Sequence, residues 1–414
     1  MSSQLSSIRA ILLSTALFLM GNGLIGTLTS LRGHLDGFTD LEIGVLGTCY
    51  FAGFMLGCFA GPHVLARAGH IRTFAVGAAL VAAAILVQPI YTAPLVWFGV
   101  RAMVGFCNAH LYMALESWLN DRATNETRGQ ILSYYVIVNL ISLILGQWLL
   151  LAASPMGFEL FSIGAIVFCL CVAPVGMTRL PQPAPAPAPV LRLKRLFAIS
   201  PVGTAGCITV GLANSAVWTF APVYAHALGF STRELALFMS AFIAGGALVQ
   251  WPLGRFSDRV DRRWIIAVVC AVACLAGVAL AVLGGTALRA SVWLYVFIAV
   301  FGASVLPVYS LSIAHANDRL PRSEFVEASA GLLLINALAS ILGPLLGSLV
   351  IMTGGTRTLF LYTALVYASM VVFTVARILA RAAPKGETHE PFEPVPQGSP
   401  AALPLDPRAP EHAS

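Results

Sequence analysis

The second half of this chain repeats the first at a nearly constant register, and that duplication limits the possible folds more than any other feature. Gly37-Phe38-Thr39 followed by Glu42 returns as Gly229-Phe230-Ser231 followed by Glu234, an offset of 192 that also places Asn22 on Asn214 and Arg67 on Arg259. Farther along the offset becomes 197, and Asn120-Asp121-Arg122 maps onto Asn317-Asp318-Arg319, Tyr112 onto Tyr309 and Asn139 onto Asn336. Leu and Ala match themselves easily in apolar sequence. Polar residues matching at a fixed register inside apolar segments do not. A duplicated membrane domain of this size implies a pseudo-two-fold machine with its binding site between the halves.

Composition identifies the solvent. Apolar residues make up 58% of the chain and charged residues only 10%, whereas a soluble domain carries about 25% charged residues. Lipid is therefore the expected surrounding. Apolar stretches of roughly 20 residues, enough to cross a bilayer, lie near 9–31, 43–65, 73–92, 95–117, 131–153 and 158–178, then near 200–222, 234–254, 264–284, 291–313, 328–351 and 358–380. The expected fold is all-α and integral to the membrane: twelve transmembrane helices in two pseudo-symmetric six-helix bundles. The bundles are residues 1–180 and 200–383, joined by a Pro-rich cytoplasmic linker (181–199) and followed by a disordered cytoplasmic tail (384–414).

Basic residues set the orientation. With both termini in the cytoplasm, 19 of the 24 Lys and Arg residues fall inside, Arg32, Arg233, Arg289 and Arg357 fall outside, and Arg101 sits within a span. The net charge of +6 is thus a topology signal and not a nucleic-acid patch. In the linker, Pro181 to Pro189 alternates Pro with Ala and Gln and reads as a polyproline-II spacer, with the basic stretch Arg192 to Arg195 suited to anionic headgroups. The eight cysteines all fall in expected spans without metal-like spacing, and no cofactor or metal is expected.

One loop carries a motif. Gly254-Arg255-Phe256-Ser257-Asp258-Arg259-Val260-Asp261-Arg262-Arg263 closely resembles the cytoplasmic loop motif of the major facilitator superfamily: a Gly, an Asp four residues on, an Arg, then a basic pair. The usual second Gly is here Asp261. The first-half counterpart keeps Arg67 and Gly69 but has Ala66 in place of the Asp. Arg101-x-x-x-Gly105 and Gly343-Pro344-x-x-Gly347 match further family features, and Glu116-Ser117-Trp118-Leu119-Asn120 and Ala314-His315-Ala316-Asn317-Asp318 look most like its bacterial YcaD-like branch. The resemblance covers about Ile8 to Ala380. It implies a transporter working by rocking of two bundles, in which the loop Asp takes part in an inner gate. Asp258, Arg259, Arg67, Asp318 and Arg319 are the expected gating residues, with Arg262 and Arg263 mainly fixing topology.

The fourth span bears the candidate site. At 100° per residue, Arg101, Gly105, Asn108, Tyr112 and Glu116 fall within about 80° of one another, and such a stripe should face protein or a wet cavity. Arg101 is suited to hold an anionic substrate group or to act on a nearby carboxylate. Glu116 has two readings, a proton acceptor or a helix-end salt bridge to Arg122, Arg128 or Arg72. The resemblance places spans 1, 4, 7 and 10 around the central cavity, where Asn22 and Asn214 would join Tyr112, Trp218 and Tyr309 in binding substrate. The alternative is that the Asn residues bridge helices, and for Asn139 and Asn336 bridging is expected. Glu42 and Glu234 have capping-box spacing after Thr39 and Ser231.

These residues point to a secondary active transporter of a small organic solute, proton-coupled and exporting. A uniporter, an importer of a sugar-like or anionic metabolite, or a transporter-like sensor would use the same residues. An enzyme would need a metal cluster or nucleophile set at membrane depth, and an ATP-driven pump would need a phosphate loop; neither is present in the sequence. The expected partners are the substrate and the bilayer, with no nucleic acid, and the expected form is a monomer in a bacterial inner membrane.

Overall fold

A computed structural model describes residues 2–124, 126–178, 183, 193–286, 291–321, 324–380, 392–395 and 398–405. The expected polyproline spacer lies outside these residues apart from Pro183, as does much of the expected tail. The described residues are helical with no strand, and they form two compact units.

The first unit holds α1 (Ser2–Leu35), α2 (Asp40–Ala68), α3 (His70–Val87), α4 (Pro94–Arg122), α5 (Arg128–Trp148), α6 (Glu159–Leu170) and α7 (Val172–Gly176), joined by Gly398–Leu405 from the C-terminal tail. The second holds α8 (Leu193–Ile199), α9 (Pro201–Ala227), α10 (Thr232–Ser257), α11 (Arg262–Leu283), α12 (Val292–Val305), α13 (Val308–Asn317), α14 (Phe325–Gly354) and α15 (Thr358–Ala380). Eleven helical segments are long and apolar enough to cross a membrane. The twelfth is α4, 29 residues long but more polar because of its stripe. Two expected single spans are broken, α6/α7 near Pro174 and α12/α13 at Pro307. Proline lacks the N–H that the helix ladder requires, so each break lies where the sequence removes a donor.

The duplication is visible in local geometry. Thr39 with Glu42 and Ser231 with Glu234 both close full capping boxes, side chain to backbone in each direction. Helix crossings repeat as well. In the first unit, Gly53 of α2 meets the Ala102 carbonyl of α4, and Gly105 of α4 meets the Tyr50 carbonyl of α2. In the second, Gly245 meets the Ala299 carbonyl and Gly302 the Phe242 carbonyl, the same two contacts at offsets of 192 and 197. A methyl at any of the four glycines would overlap the facing backbone, so each crossing depends on a residue without Cβ. Burial separates core from rim. Phe18, Trp97, Phe161 and Phe168 fill one unit and Tyr224, Phe238, Phe301 and Tyr367 the other, while Leu95, Leu248, Leu275 and Leu365 are at least 70% exposed. A surface that apolar is covered by lipid in a membrane protein.

The tail departs from expectation. Phe392, Val395, Ala402, Leu403 and Leu405 are all buried, and Pro400–Leu405 forms a 3-10 turn against α4 and α5. Its proline content suggests disorder, but the apolar residues between the prolines supply a packing face.

Candidate substrate and gating sites

The α4 stripe forms a polar cluster within the first unit. The Gly105 crossing brings α2 close enough for Tyr50 to lie under the stripe. The Arg101 guanidinium sits over the Tyr50 ring, 4.4 Å from its centroid. Asn108, fully buried, donates through Nδ2 to Asn22 Oδ1 at 3.0 Å and to the Tyr50 hydroxyl at 3.3 Å. Asn22 also shares a side-chain hydrogen bond with Tyr112, whose ring stands edge-on to Phe18 and Phe54. Thus Asn22, Arg101, Asn108 and Tyr112 come together within the first unit, and Tyr50 completes the group. Tyr50 escaped the sequence reading because its helix shows no polar stripe of its own.

Two atoms in this cluster are buried without a partner, Arg101 Nε and Asn108 Oδ1. No described carboxylate lies within ion-pairing distance of Arg101. An Arg within a span that has no counter-ion is costly, and a buried donor and a buried acceptor left without partners on one helix stripe are groups that a polar ligand can satisfy. Arg101 and Glu116 are 15 positions apart on one helix, about 22 Å along the axis, so they do not act directly on each other.

Glu116 departs from one of its expected readings. It is fully buried and pairs with none of Arg72, Arg122 and Arg128. Its Oε1 accepts from the Tyr135 hydroxyl at 2.7 Å, and its Oε2 accepts from the Ser399 backbone N–H at 2.8 Å and from the Ser399 hydroxyl. Tyr135 is tied in turn to Asn139 by a side-chain hydrogen bond. The helix-end salt bridge is therefore replaced by neutral donors. Arg122 instead lies 3.5 Å from Asp121. The partner that sequence could not supply is Ser399, 283 residues away.

In the second unit the amides bridge helices. Asn214 Oδ1 accepts from the Tyr367 hydroxyl at 2.7 Å, and its Nδ2 donates to the Val305 carbonyl at 3.4 Å. Asn336 Nδ2 donates to the Cys207 carbonyl at 3.0 Å, joining α14 to α9. Trp218 stands edge-on to Phe242 at 5.2 Å, and Tyr309 is buried on α13.

Arg262 dominates the loop of residues 254–263. Fully buried, it donates through Nε to Asp318 Oδ2 at 2.7 Å, through Nη2 to Asp258 Oδ1 at 2.9 Å and through Nη1 to the Ser257 hydroxyl at 2.9 Å. Arg259 and Arg67 are exposed and form no ion pair with a described residue, and Arg319 is half-buried beside the network. The view of Arg262 as mainly a topology residue is corrected: at the start of α11 its guanidinium reaches both Asp258, which follows α10, and Asp318, which follows α13. Asp261 occupies the place of the missing Gly and caps α11 by accepting from the Arg263 N–H at 2.9 Å. Burial alone would raise its pKa, but the Arg263 backbone and guanidinium bonds outweigh that and hold it below the ordinary aspartate value. In the first unit the positions matching Asp258, Arg262 and Asp318 are Ala66, His70 and Asp121, so the corresponding lock lacks both an acid and the guanidinium. Among the described residues no group of three or more His, Cys, Asp or Glu side chains is placed to hold a metal.

Comparison with known proteins agrees with this architecture. The family model described as Major Facilitator Superfamily matches residues 11–314 and 203–408. The uncharacterized MFS-type transporter YcaD of Escherichia coli (strain K12) is 24% identical over 369 residues, covering 88% of this chain and 94% of its own. Among solved structures, a bacterial homologue of the human lysosomal transporter Spinster superposes with a TM-score of 0.74 at 15% identity, over 93% of this chain and 99% of its own. The nucleoside transporter NupG superposes with a TM-score of 0.71 at 16% identity, over 91% and 99%. A D-xylose-proton symporter gives 0.71 at 15%, over 93% and 99%. At these identities the structures share the fold, and the family match over most of the chain identifies this protein as a multi-pass membrane transporter of the major facilitator superfamily.

Proposed function

We propose that this protein is a proton-coupled secondary transporter of a small organic anion, which it binds at the Arg101–Asn108 cluster. One observation carries the reading: Arg101, within a span, has a buried Nε without a hydrogen-bond partner and, among the described residues, no carboxylate counter-ion, and the same helix stripe carries an open acceptor on Asn108. A carboxylate or phosphate on the substrate would supply the missing counter-charge, a donor group would meet Asn108 Oδ1, and Tyr50 would offer an aromatic face. Asn22 and Tyr112 would then orient the solute. Asn214 is better supported as a helix bridge. Glu116, buried with only neutral donors, is suited to gain and lose a proton during the cycle. Asp258, Arg262 and Asp318 form the gate of the second unit. The bias of basic residues supports cytoplasmic termini, and the bacterial relative supports an inner-membrane location.

A second reading is a neutral, hydroxyl-rich solute. Its support is the amide and phenol content of the cluster, together with the similarity in fold to a nucleoside transporter and a xylose-proton symporter. The test is proton movement in proteoliposomes loaded with a pH dye and challenged with panels of organic acids, nucleosides and sugars. An acid that moves protons through the wild type but not through Glu116→Gln supports the coupling, and the direction of the dye response separates export from import. Proton movement driven by neutral sugars or nucleosides alone would select the second reading.

A further inference from the structure

The C-terminal tail makes specific polar contacts with side chains of the helices. Two short stretches of it dock, each on its own unit. On the second unit, the Phe392 N–H donates to Asp258 Oδ2 at 3.0 Å, and the Phe392 ring rests against Gly254, the first residue of the loop motif. The Ser310 hydroxyl then binds Val395 twice, accepting from its N–H at 3.1 Å and donating to its carbonyl at 3.2 Å. On the first unit, Ser399 gives both its N–H and its hydroxyl to Glu116 Oε2. Gly398 passes so close to the same carboxylate that a Cβ there would overlap it. Leu403 and Leu405 bury themselves in the following turn.

We infer that the C-terminal segment is an internal ligand of the transporter: it occupies the carboxylates of Glu116 and Asp258, and it must leave before Glu116 can exchange a proton with water. The contacts are specific in kind. Each docked stretch is held through its backbone by a polar side chain, and each has apolar residues buried beside that bond. Random packing of a disordered tail would not direct backbone donors at two carboxylates, one in the gate motif and one at the buried end of the α4 stripe. With Tyr135 on one oxygen and Ser399 on the other, Glu116 has no exposed surface. While the tail is seated, the group has no path to solvent. This inference does not depend on the substrate proposed above, and its test reads Glu116 and the tail rather than transport.

The experiment uses the full-length protein in liposomes and compares wild type with Gly398→Val and Leu403→Glu. The first change unseats the tail at Glu116; the second unseats the turn without touching it. Two quantities are read by peptide mass spectrometry: the rate at which dicyclohexylcarbodiimide labels Glu116, and amide exchange across residues 392–405. In wild type the Val395 and Ser399 amides should exchange slowly, and Glu116 should label at least about tenfold more slowly than in either variant. Exchange at the free-peptide rate in wild type would overturn the docking. Slow exchange with equal labelling in all three proteins would overturn the occlusion. Because Leu403 does not itself touch Glu116, its variant releases the tail without placing a new side chain against the carboxylate, and misfolding of the Gly398 variant would not obscure the result.

Discussion

Replacing Arg262 by Met tests whether the loop network is a structural lock or only a topological charge. The guanidinium is fully buried and joins Asp318, whose side chain is 2% exposed, to Asp258, which is 25% exposed. The two contacts differ in weight. The Asp258 pair is half-wet and contributes about 0–1 kcal/mol. Loss of the cation, however, takes the guanidinium away from the buried Asp318 carboxylate, and breaking a buried pair from one side costs about 3–5 kcal/mol. For a unit of this size each kcal/mol moves the midpoint by roughly 2–4 °C, so the variant should melt roughly 6–20 °C below wild type. The double variant R262M/D318L removes both charges and should recover most of the loss, since a buried pair exchanged for apolar side chains is often neutral. The assay is thermal unfolding in detergent at one fixed scan rate, because the transition of a membrane protein is commonly irreversible. If R262M melts within about 2 °C of wild type, or the double variant melts no higher than R262M, the buried-charge argument fails.

Two further outcomes follow from local geometry. Gly105→Ala should lower stability by roughly 1–3 kcal/mol through overpacking against the Tyr50 backbone, and Gly302→Ala should do the same against Phe242, whereas Gly99→Ala, where a Cβ meets nothing within 4 Å, should be close to neutral in the same melting assay. Asp261 has a folded-state pKa below its ordinary value of 3.8, so its bonds with Arg263 contribute stability present above that value and lost as pH falls through the lower folded value. The stability difference between wild type and Asp261→Asn should therefore be constant near neutral pH and shrink below about pH 4; a difference unchanged down to pH 3 would contradict the assignment.

The sequence revealed different parts of this account with unequal clarity. The duplication and the twelve apolar stretches were legible because their signals are periodic and local, as were the capping boxes at Thr39 and Ser231. The α4 stripe was legible for the same reason: Arg101, Asn108 and Tyr112 share a helix face, so their meeting with Asn22 needs only one neighbouring helix. Contacts that depend on a third element were hidden. Tyr50 reaches the cluster because Gly53 and Gly105 let two helices touch, and nothing in its own surroundings announces that. Ser399 reaches Glu116 through a tail whose prolines suggest disorder. Tyr367 bonds Asn214 from the last helix of its unit, a contact that fits the bridging alternative and that no local pattern announces. Arg262 reads as a topology residue because positive charge in a cytoplasmic loop has a ready explanation there, and burial, the property that sets it apart from Arg259, is not written in the motif.

Arg101 is the proposed receptor for the substrate's negative charge. The direct measurement is ligand-induced thermal stabilisation of purified wild type and Arg101→Gln by matched sets of small organic acids and their neutral amides. A ligand at 100 times its Kd stabilises by about 2.7 kcal/mol, ample for detection. The predicted result is that at least one acid stabilises wild type, its amide does not, and the variant, folded and with a normal baseline transition, responds to neither. Equal stabilisation of wild type and variant by the same acid, or by the acid and its amide alike, would show that Arg101 does not bind the substrate's charge.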